Sequence, residues 1–404
     1  MTMKYAIVIP DGAADSPLAE LGDQTPLQVS RKPNMDEVAR MGRIGTVRTT
    51  PPGYAAGSDI CTLCLLGYNP AEYHPGRAPL EAAAMGLALG PQDWVFRCNL
   101  VTLIEQVMID HSAGHIPDKE ARVLLEAVRQ EAMALVPAMP VEFFPGVSYR
   151  NLMVYHGGDF SRLHSTPPHD IPEQPVRDHQ PRGAGAADIL KIMEAGHRAL
   201  TQHEVNLVRR QLGENPATDI WLWGQGHAAN IPSFKARFGK TGAMITAVDL
   251  LRGIANLIGW QNIAVPGITS YHDTDYAAQG SYACQALDHY DLVCCHVEAP
   301  DEASHQGDFA TKIAAIEAID KYVVGPLLEK LSRMPQWRLL IMPDHATQCA
   351  TRKHHDAPVP FAMAGTQRKS AIARPYTEAA AIQSDLHIDH GYDLMDYLLA
   401  GADR

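Results

Sequence analysis

Three short spacings in this chain suit metal chemistry. Asp11 closes the apolar run Tyr5-Ala-Ile-Val-Ile-Pro10. Asp301 and His305 lie four apart, so a helix would turn both to one side. Asp344 and His345 are adjacent, and His354 follows in the run His354-His-Asp-Ala-Pro-Val-Pro360. Carboxylates mixed with imidazoles suit a hard-to-borderline divalent ion such as Mn²⁺ or Zn²⁺, and this many ligands could hold two ions. Any one of these residues could equally be a cap or a loop side chain; the recurrence of the set carries the reading. Ser58 is the candidate nucleophile. It follows the small residues Ala55-Ala-Gly57 and precedes the apolar run Ile60–Leu66. A serine there stands at a helix N-terminus, where unpaired N–H groups and the helix dipole attract phosphate. It could also be a plain N-cap; a metal ion on its oxygen would make it a nucleophile at neutral pH. Cys61-Thr-Leu-Cys64 has redox-motif spacing, but its apolar flanks read as a helix with two buried thiols.

Such residues need rigid elements to bring them together. Tyr5–Pro10, Leu292–Val297 and Leu339–Met342 are short apolar runs of the kind buried in parallel sheets. Trp221–Trp223 reads as a fourth strand of that sheet. Ile313, Ile316, Ile319, Val323 and Leu327 recur at helix spacing between the second and third runs. Strand, helix, strand in this rhythm predicts an α/β fold with a parallel-sheet core and helices on both faces. Each of the three strands ends at or shortly before an acidic residue, and ligands of open parallel sheets bind outside the carboxyl ends of the strands. The middle of the chain differs. Strand-like pieces at 99–104 and 151–155, helical patterns through Ala121, Leu124, Leu125, Val128 and Leu135 and through Ile189, Ile192, Met193 and Leu200, and a Pro- and His-rich loop at 165–181 read as an inserted α+β unit. The expected division is a discontinuous catalytic domain, 1–90 with 216–404, and an inserted domain, 91–215.

Composition narrows the function classes. At 404 residues the chain exceeds one small domain. With 34 Lys and Arg against 46 Asp and Glu, the formal charge of −12 argues against a nucleic-acid binder. It leaves room for a small anionic substrate, because local arginines or metal ions can reverse the local field. No apolar stretch approaches a membrane span, so no membrane partner is expected. Seven cysteines without a regular framework or a leader sequence point to reduced thiols and a cytoplasmic location. The oligomeric state is left open.

The motifs taken together resemble the cofactor-independent phosphoglycerate mutases of the archaeal type, within the alkaline-phosphatase superfamily. The resemblance is carried by IVIPDGAAD at the start, PPGYAAGSDICTLCLLGYNP around Ser58, GRAPLEAAAMG, FRCNLVT, HSAGHI and WGQG. HVEAPDEASHQGDFATKIAAIEAID, PDHAT and HHDAPVPF follow in order, so it spans almost the whole chain. It implies one metal site at Asp11, Ser58, Asp344 and His345 and a second at Asp301, His305 and His354. The ions would be Mn, Zn, Co or Mg, with no 2,3-bisphosphoglycerate. His354, not His355, has the family's spacing to Pro358. It further implies transfer of a phosphoryl group from 3-phosphoglycerate to Ser58 and back to the 2-hydroxyl, under an inserted domain that closes and excludes water. The substrate-binding residues it suggests are Arg77, Arg97, Asn99 and Arg150 in matched motifs, Lys240 after a glycine-rich bend, and His169 with Asp170 in a PPHD run. Rival readings on the same core are a phosphomonoesterase, a phosphonate hydrolase, a phosphopentomutase and a homoserine-kinase-like relative. A metal-binding scaffold without turnover is the rival from another class.

Overall fold

The computed structural model describes residues 3–228, 230–367 and 373–400. The chain divides into two compact units, one of Met1–His74 with Ile231–Arg404 and one of Pro75–Asn230. This places the divide earlier than residue 91 and later than residue 215. The reason is local: the helix Arg77–Ala84 packs on the strands Asp93–Ile104 and Asp219–His227 and so belongs with them.

The first unit is built on an eight-stranded sheet. Its order across the sheet is His387–Ile388, Arg43–Val47, Val359–Gly365, Trp337–Ile341, Lys4–Pro10, Leu292–Val297, Gly242–Ile245 and Gln261–Asn262. All neighbours are parallel except Val359–Gly365, which runs against both of its partners. Lys4–Pro10 lies inside the sheet, and its side chains from Tyr5 to Ile9 are buried, as a run of β-branched and apolar residues requires. Pro10 is in register with Val297, and Val8 with Ile341, so three adjacent strands release their chains at one edge. The helix Phe309–Ile319, a π-helical turn at Asp320–Val324 and the helix Gly325–Ser332 carry Ile316, Ile319, Val323 and Leu327 into the core. Ile313 stays outside that core cluster. The helix Ser58–Leu65 is buried at every position after Ser58, including Cys61 and Cys64. Burial pushes both thiols up to about 12, which makes them inert packing groups.

The second unit has its own antiparallel sheet. Asp93–Ile104 pairs with Arg150–His156, with Val107–Asp110 and with Asp219–His227, and Val141–Val147 extends the sheet beyond Arg150–His156. The Trp221–Trp223 run is therefore a strand, but of this sheet and not of the parallel one. An apolar run specifies extended, buried chain and leaves its partner open. Here alternation sends Ile220 and Leu222 to a core shared with the helices Asp118–Leu135 and Ala186–Thr201, and Trp221 and Trp223 to another cluster. The strand that fills the parallel sheet instead is Gly242–Ile245. It is four residues long and opens on glycine, so it lacks the usual sequence signature of a strand. Among the described residues, no helix is long and apolar enough to cross a membrane.

Candidate active site

Asp11, Glu298 and the Asp344–His345 pair all leave the same edge of the parallel sheet. The turn after Asp11 is tight: Gly12 has φ +62°, and a Cβ there would lie 2.6 Å from Asp301 Oδ1 and 2.7 Å from Thr347 Oγ1. Only glycine permits that approach. Ser58 sits at the start of its helix, where its Oγ donates to Asp11 Oδ2 at 3.2 Å and lies 3.4 Å from His345 Nε2. His345 Nε2 is in turn 3.4 Å from Asp11 Oδ1 and 3.7 Å from Asp344 Oδ2.

A second cluster stands beside the first. Asp301 and His305 share one face of the helix Ala299–Gln306, with Oδ2 and Nε2 3.1 Å apart. His354, from the hairpin formed by Ala346–Gln348 and Lys353–His355, brings its Nε2 to 3.5 Å from Asp301 Oδ1. His355 points elsewhere, accepting from the Ala357 N–H through Nδ1.

The donor sets fit divalent cations. Asp11 Oδ1 and Asp344 Oδ2 are buried without a hydrogen-bond partner among the described residues. His305 Nδ1 faces the Arg352 carbonyl at 3.0 Å and His354 Nδ1 faces the Ala56 carbonyl at 3.1 Å. A carbonyl only accepts, so both rings carry their proton on Nδ1 and aim Nε2 inward, where the two atoms are 2.9 Å apart. Two Nε2 atoms and a carboxylate aimed at one point call for a positive charge, which is a metal ion on the two lone pairs or, without an ion, a proton held against Asp301. The titration behaviour says the same. Burial, then Asp344, Glu298 and Asp301, push Asp11 well up. Burial opposes ionisation of Asp301, but hydrogen bonds from His305 and His354 hold it well down. The hydrogen bond to Asp301 lifts His305 to about 9. Ligand atoms of Asp301, His305 and His354 lie within 4.8 Å of one another, as do those of Asp11, Asp344 and His345.

His296 and Glu298 join Asp11 in a further group that the sequence reading passed over. His296 Nε2 is 2.9 Å from Asp11 Oδ2, and its Nδ1 meets the Thr246 hydroxyl at 3.2 Å. Burial pushes His296 down to about 4. The only sequence signal was a lone histidine near the end of the otherwise apolar strand Leu292–Val297.

The second unit holds a separate basic cluster. Strand alternation puts Arg97 and Asn99 on the face that carries Trp223. The Arg97 guanidinium lies 4.2 Å from the Trp223 ring and forms a two-pronged pair with Glu81, Nε to Oε2 at 3.1 Å and Nη2 to Oε1 at 2.7 Å. Arg150 covers the Tyr149 ring and donates to its hydroxyl at 3.2 Å. His169 packs on Trp223 with ring centroids 5.2 Å apart and near His111 at 6.1 Å. Burial lowers its pKa, Asp170 opposes, and His111, Arg97 and Arg77 lower it further, so Arg77 belongs to this neighbourhood. Asp170 is exposed, 3.7 Å from His169.

Two of the expected substrate residues are placed otherwise. Asn99 is buried, with its amide donating to the His111 carbonyl at 3.3 Å and accepting from Trp223 Nε1 at 3.1 Å. It holds Trp223 in place and does not present itself to a ligand. Lys240 precedes the strand Gly242–Ile245 and lies near Asp291, at the edge of the sheet opposite to Asp11. Parallel strands send their starts and ends to opposite edges, so Lys240 cannot reach the Ser58 region.

Comparison with known proteins follows the same lines. Residues 39–206 match the family model described as 2,3-bisphosphoglycerate-independent phosphoglycerate mutase. A 2,3-bisphosphoglycerate-independent phosphoglycerate mutase from Methanothrix thermoacetophila is 45% identical over 400 residues, covering 99% of this chain and 100% of that protein. A solved structure of a protein from Pyrococcus horikoshii superposes with a TM-score of 0.81 at 26% identity, over 99% of this chain and 97% of that one. The cofactor-independent phosphoglycerate mutase from Thermoplasma acidophilum superposes with a TM-score of 0.70 at 25% identity, over 99% of both chains.

Proposed function

The chain belongs to the family of 2,3-bisphosphoglycerate-independent phosphoglycerate mutases, and from that premise we propose that it interconverts 3-phosphoglycerate and 2-phosphoglycerate through a phosphoserine at Ser58. The observation that carries this reading is the placement of Ser58 Oγ at a helix N-terminus, 3.2 Å from Asp11 Oδ2 and 3.4 Å from His345 Nε2. In the forward direction Ser58 Oγ forms a bond to phosphorus, and the bond from phosphorus to the 3-oxygen of glycerate breaks. The serine proton leaves toward Asp11 Oδ2, the acceptor already hydrogen-bonded to it. The 2-hydroxyl of the retained glycerate then bonds to phosphorus as the Ser58 Oγ–P bond breaks; the proton it gives up balances the one taken up by the departing 3-oxygen, Asp11 returns its proton to Ser58 Oγ, and no water enters the balance. N–H groups at the start of the helix Ser58–Leu65 face the phosphoryl oxygens. Asp11, Ser58, Asp344 and His345 would hold one divalent ion, and Asp301, His305 and His354 another. These ions would supply the positive charge that lowers the serine pKa and offsets charge on the transferred group. Mn, Zn, Co and Mg all suit this donor set, because availability often decides among such ions.

The unit Pro75–Asn230 would bind the carboxylate and hydroxyls of glycerate through Arg77, Arg97, Arg150 and the His169–Asp170 turn. Stacking on aromatic rings holds these planar guanidiniums in a fixed orientation, and Arg97 would meet an anion with the edge that Glu81 does not occupy. On this reading the setting is cytoplasmic, where thiols stay reduced.

An enolase-coupled assay on chelator-stripped protein tests the proposal, with each divalent ion added back singly, no 2,3-bisphosphoglycerate, and free phosphate followed in parallel. Ion-dependent 2-phosphoglycerate with little phosphate release is expected. Phosphate without 2-phosphoglycerate would replace the mutase with a hydrolase. Neither product with any ion would move the search to homoserine and phosphonate substrates.

A further inference from the structure

We propose that Thr347 is a positioning residue whose single hydroxyl fixes the tautomer of His345 and links the two ligand clusters. Its side chain is fully buried between them. Thr347 Oγ1 donates to Asp301 Oδ1 and lies 3.1 Å from His345 Nδ1. A hydroxyl has one proton, and an ionised carboxylate only accepts. The proton therefore goes to Asp301, and the hydroxyl must accept from His345 Nδ1–H. A neutral imidazole protonated on Nδ1 keeps its lone pair on Nε2, the atom that faces Asp11 Oδ1, Asp344 Oδ2 and Ser58 Oγ. His305 and His354 take the same tautomer from backbone carbonyls. His345 takes it from a side chain, so here the device can be removed by mutation.

The position of that hydroxyl is held from several directions. The Thr347 N–H donates to the Ala14 carbonyl at 3.1 Å. The Thr347 carbonyl accepts from the buried Lys312 Nζ at 2.7 Å. Across the hairpin Thr347 is in register with His354. On the open side, Gly12 leaves room where any Cβ would lie 2.7 Å from Thr347 Oγ1. The hydroxyl thus restrains a predicted ligand of one ion, His345, and of the other, Asp301, at once. Groups that orient a ligand ring in this way commonly alter metal affinity about 10- to 100-fold when lost.

This inference rests on the reading that both clusters hold divalent ions, and the test separates the two. Co²⁺ is titrated into metal-free wild type, Thr347→Val and Thr347→Ser, with bound metal measured by elemental analysis and its visible absorption recorded. Thr347→Val should weaken binding about 10-fold or more and change the absorption of the bound ion, and Thr347→Ser, which keeps the hydroxyl, should restore both. Wild-type affinity and an unchanged spectrum in Thr347→Val would overturn the role of Thr347 while leaving the metal sites standing. Failure of wild type itself to bind would overturn the metal reading. Should Thr347→Val not fold, the tautomer is read directly in metal-free wild type labelled with ¹⁵N-histidine, its His345 signals assigned by difference from His345→Gln. A proton on Nδ1 is expected; a proton on Nε2 would refute the proposal.

Discussion

Ser58 is distinguished from an ordinary helix-start serine by what surrounds its oxygen. Gly57, not Ser58, occupies the N-cap position, and the Ser58 hydroxyl points to Asp11 instead of back to its own helix. A capping role would leave stability as its main signature, whereas a nucleophile leaves turnover. Ser58→Ala should therefore lose about three orders of magnitude or more in kcat, as removal of other covalent nucleophiles does. The same variant should still bind ions, because Asp11, Asp344 and His345 remain. Mutase turnover within tenfold of wild type in that variant would remove the phosphoserine route. The two readings of Cys61 and Cys64 separate on similar grounds: both thiols are buried in a helix, so spacing alone gave a motif without its chemistry.

Between elements, the chain uses buried polar links where hydrophobic contacts could not fix register. Lys312, on the helix Phe309–Ile319, pairs with Asp15 at 2.8 Å, and neither side chain is exposed. The ammonium also meets the Thr347 carbonyl, while Asp15 Oδ2 accepts from the Cys349 N–H at 3.2 Å. One helix thereby fastens the loops that follow two core strands. Lys312→Met leaves Asp15 charged and unpaired in the interior, which should cost about 3–5 kcal/mol and lower the thermal midpoint. An unchanged midpoint would mean that Asp15 finds another partner. In the other unit, Asp110 organises the turn after Val107–Asp110. Burial opposes its ionisation, but hydrogen bonds from Ser112, Asn215 and Gly114 outweigh it and hold its pKa at about 2. A depressed carboxylate pKa favours the fold above the unfolded value, about 3.8–3.9, and that share is lost as pH falls toward 2. Asp110→Asn should therefore be less stable at neutral pH, with a shallower decline between about pH 4 and pH 2. Chemical denaturation across that range decides it; parallel curves for the two proteins would exclude the link.

At the scale of the whole molecule, the carboxylates and imidazoles gathered at one sheet edge would, on the proposed function, make ion binding a folding term as well as a catalytic one. Asp11, Asp344, Asp301 and Glu298 crowd one another, and an ion that binds only the native arrangement stabilises it. At a free concentration of about 100 times Kd, each ion adds about 2.7 kcal/mol. Stripping ions with a chelator should lower the calorimetric midpoint, and restoring the active ion should return it; an unmoved midpoint would argue against ions at either cluster. The sequence by itself determined the α/β class, because apolar runs and helix periodicity are local properties of the chain. It also determined the chemical types at three strand ends, because a strand, its turn and the residue that follows are contiguous. Only the tertiary structure decided which strands share a sheet, since the Trp221–Trp223 run has the composition of a buried strand in either one. Only the tertiary structure turned Asn99 inward onto Trp223 and put Lys240 at the far edge, and only it brought His296 against Asp11 and Thr347 against Asp301. Strand direction, register and face are set by long-range pairing, and no local pattern in these residues encodes them.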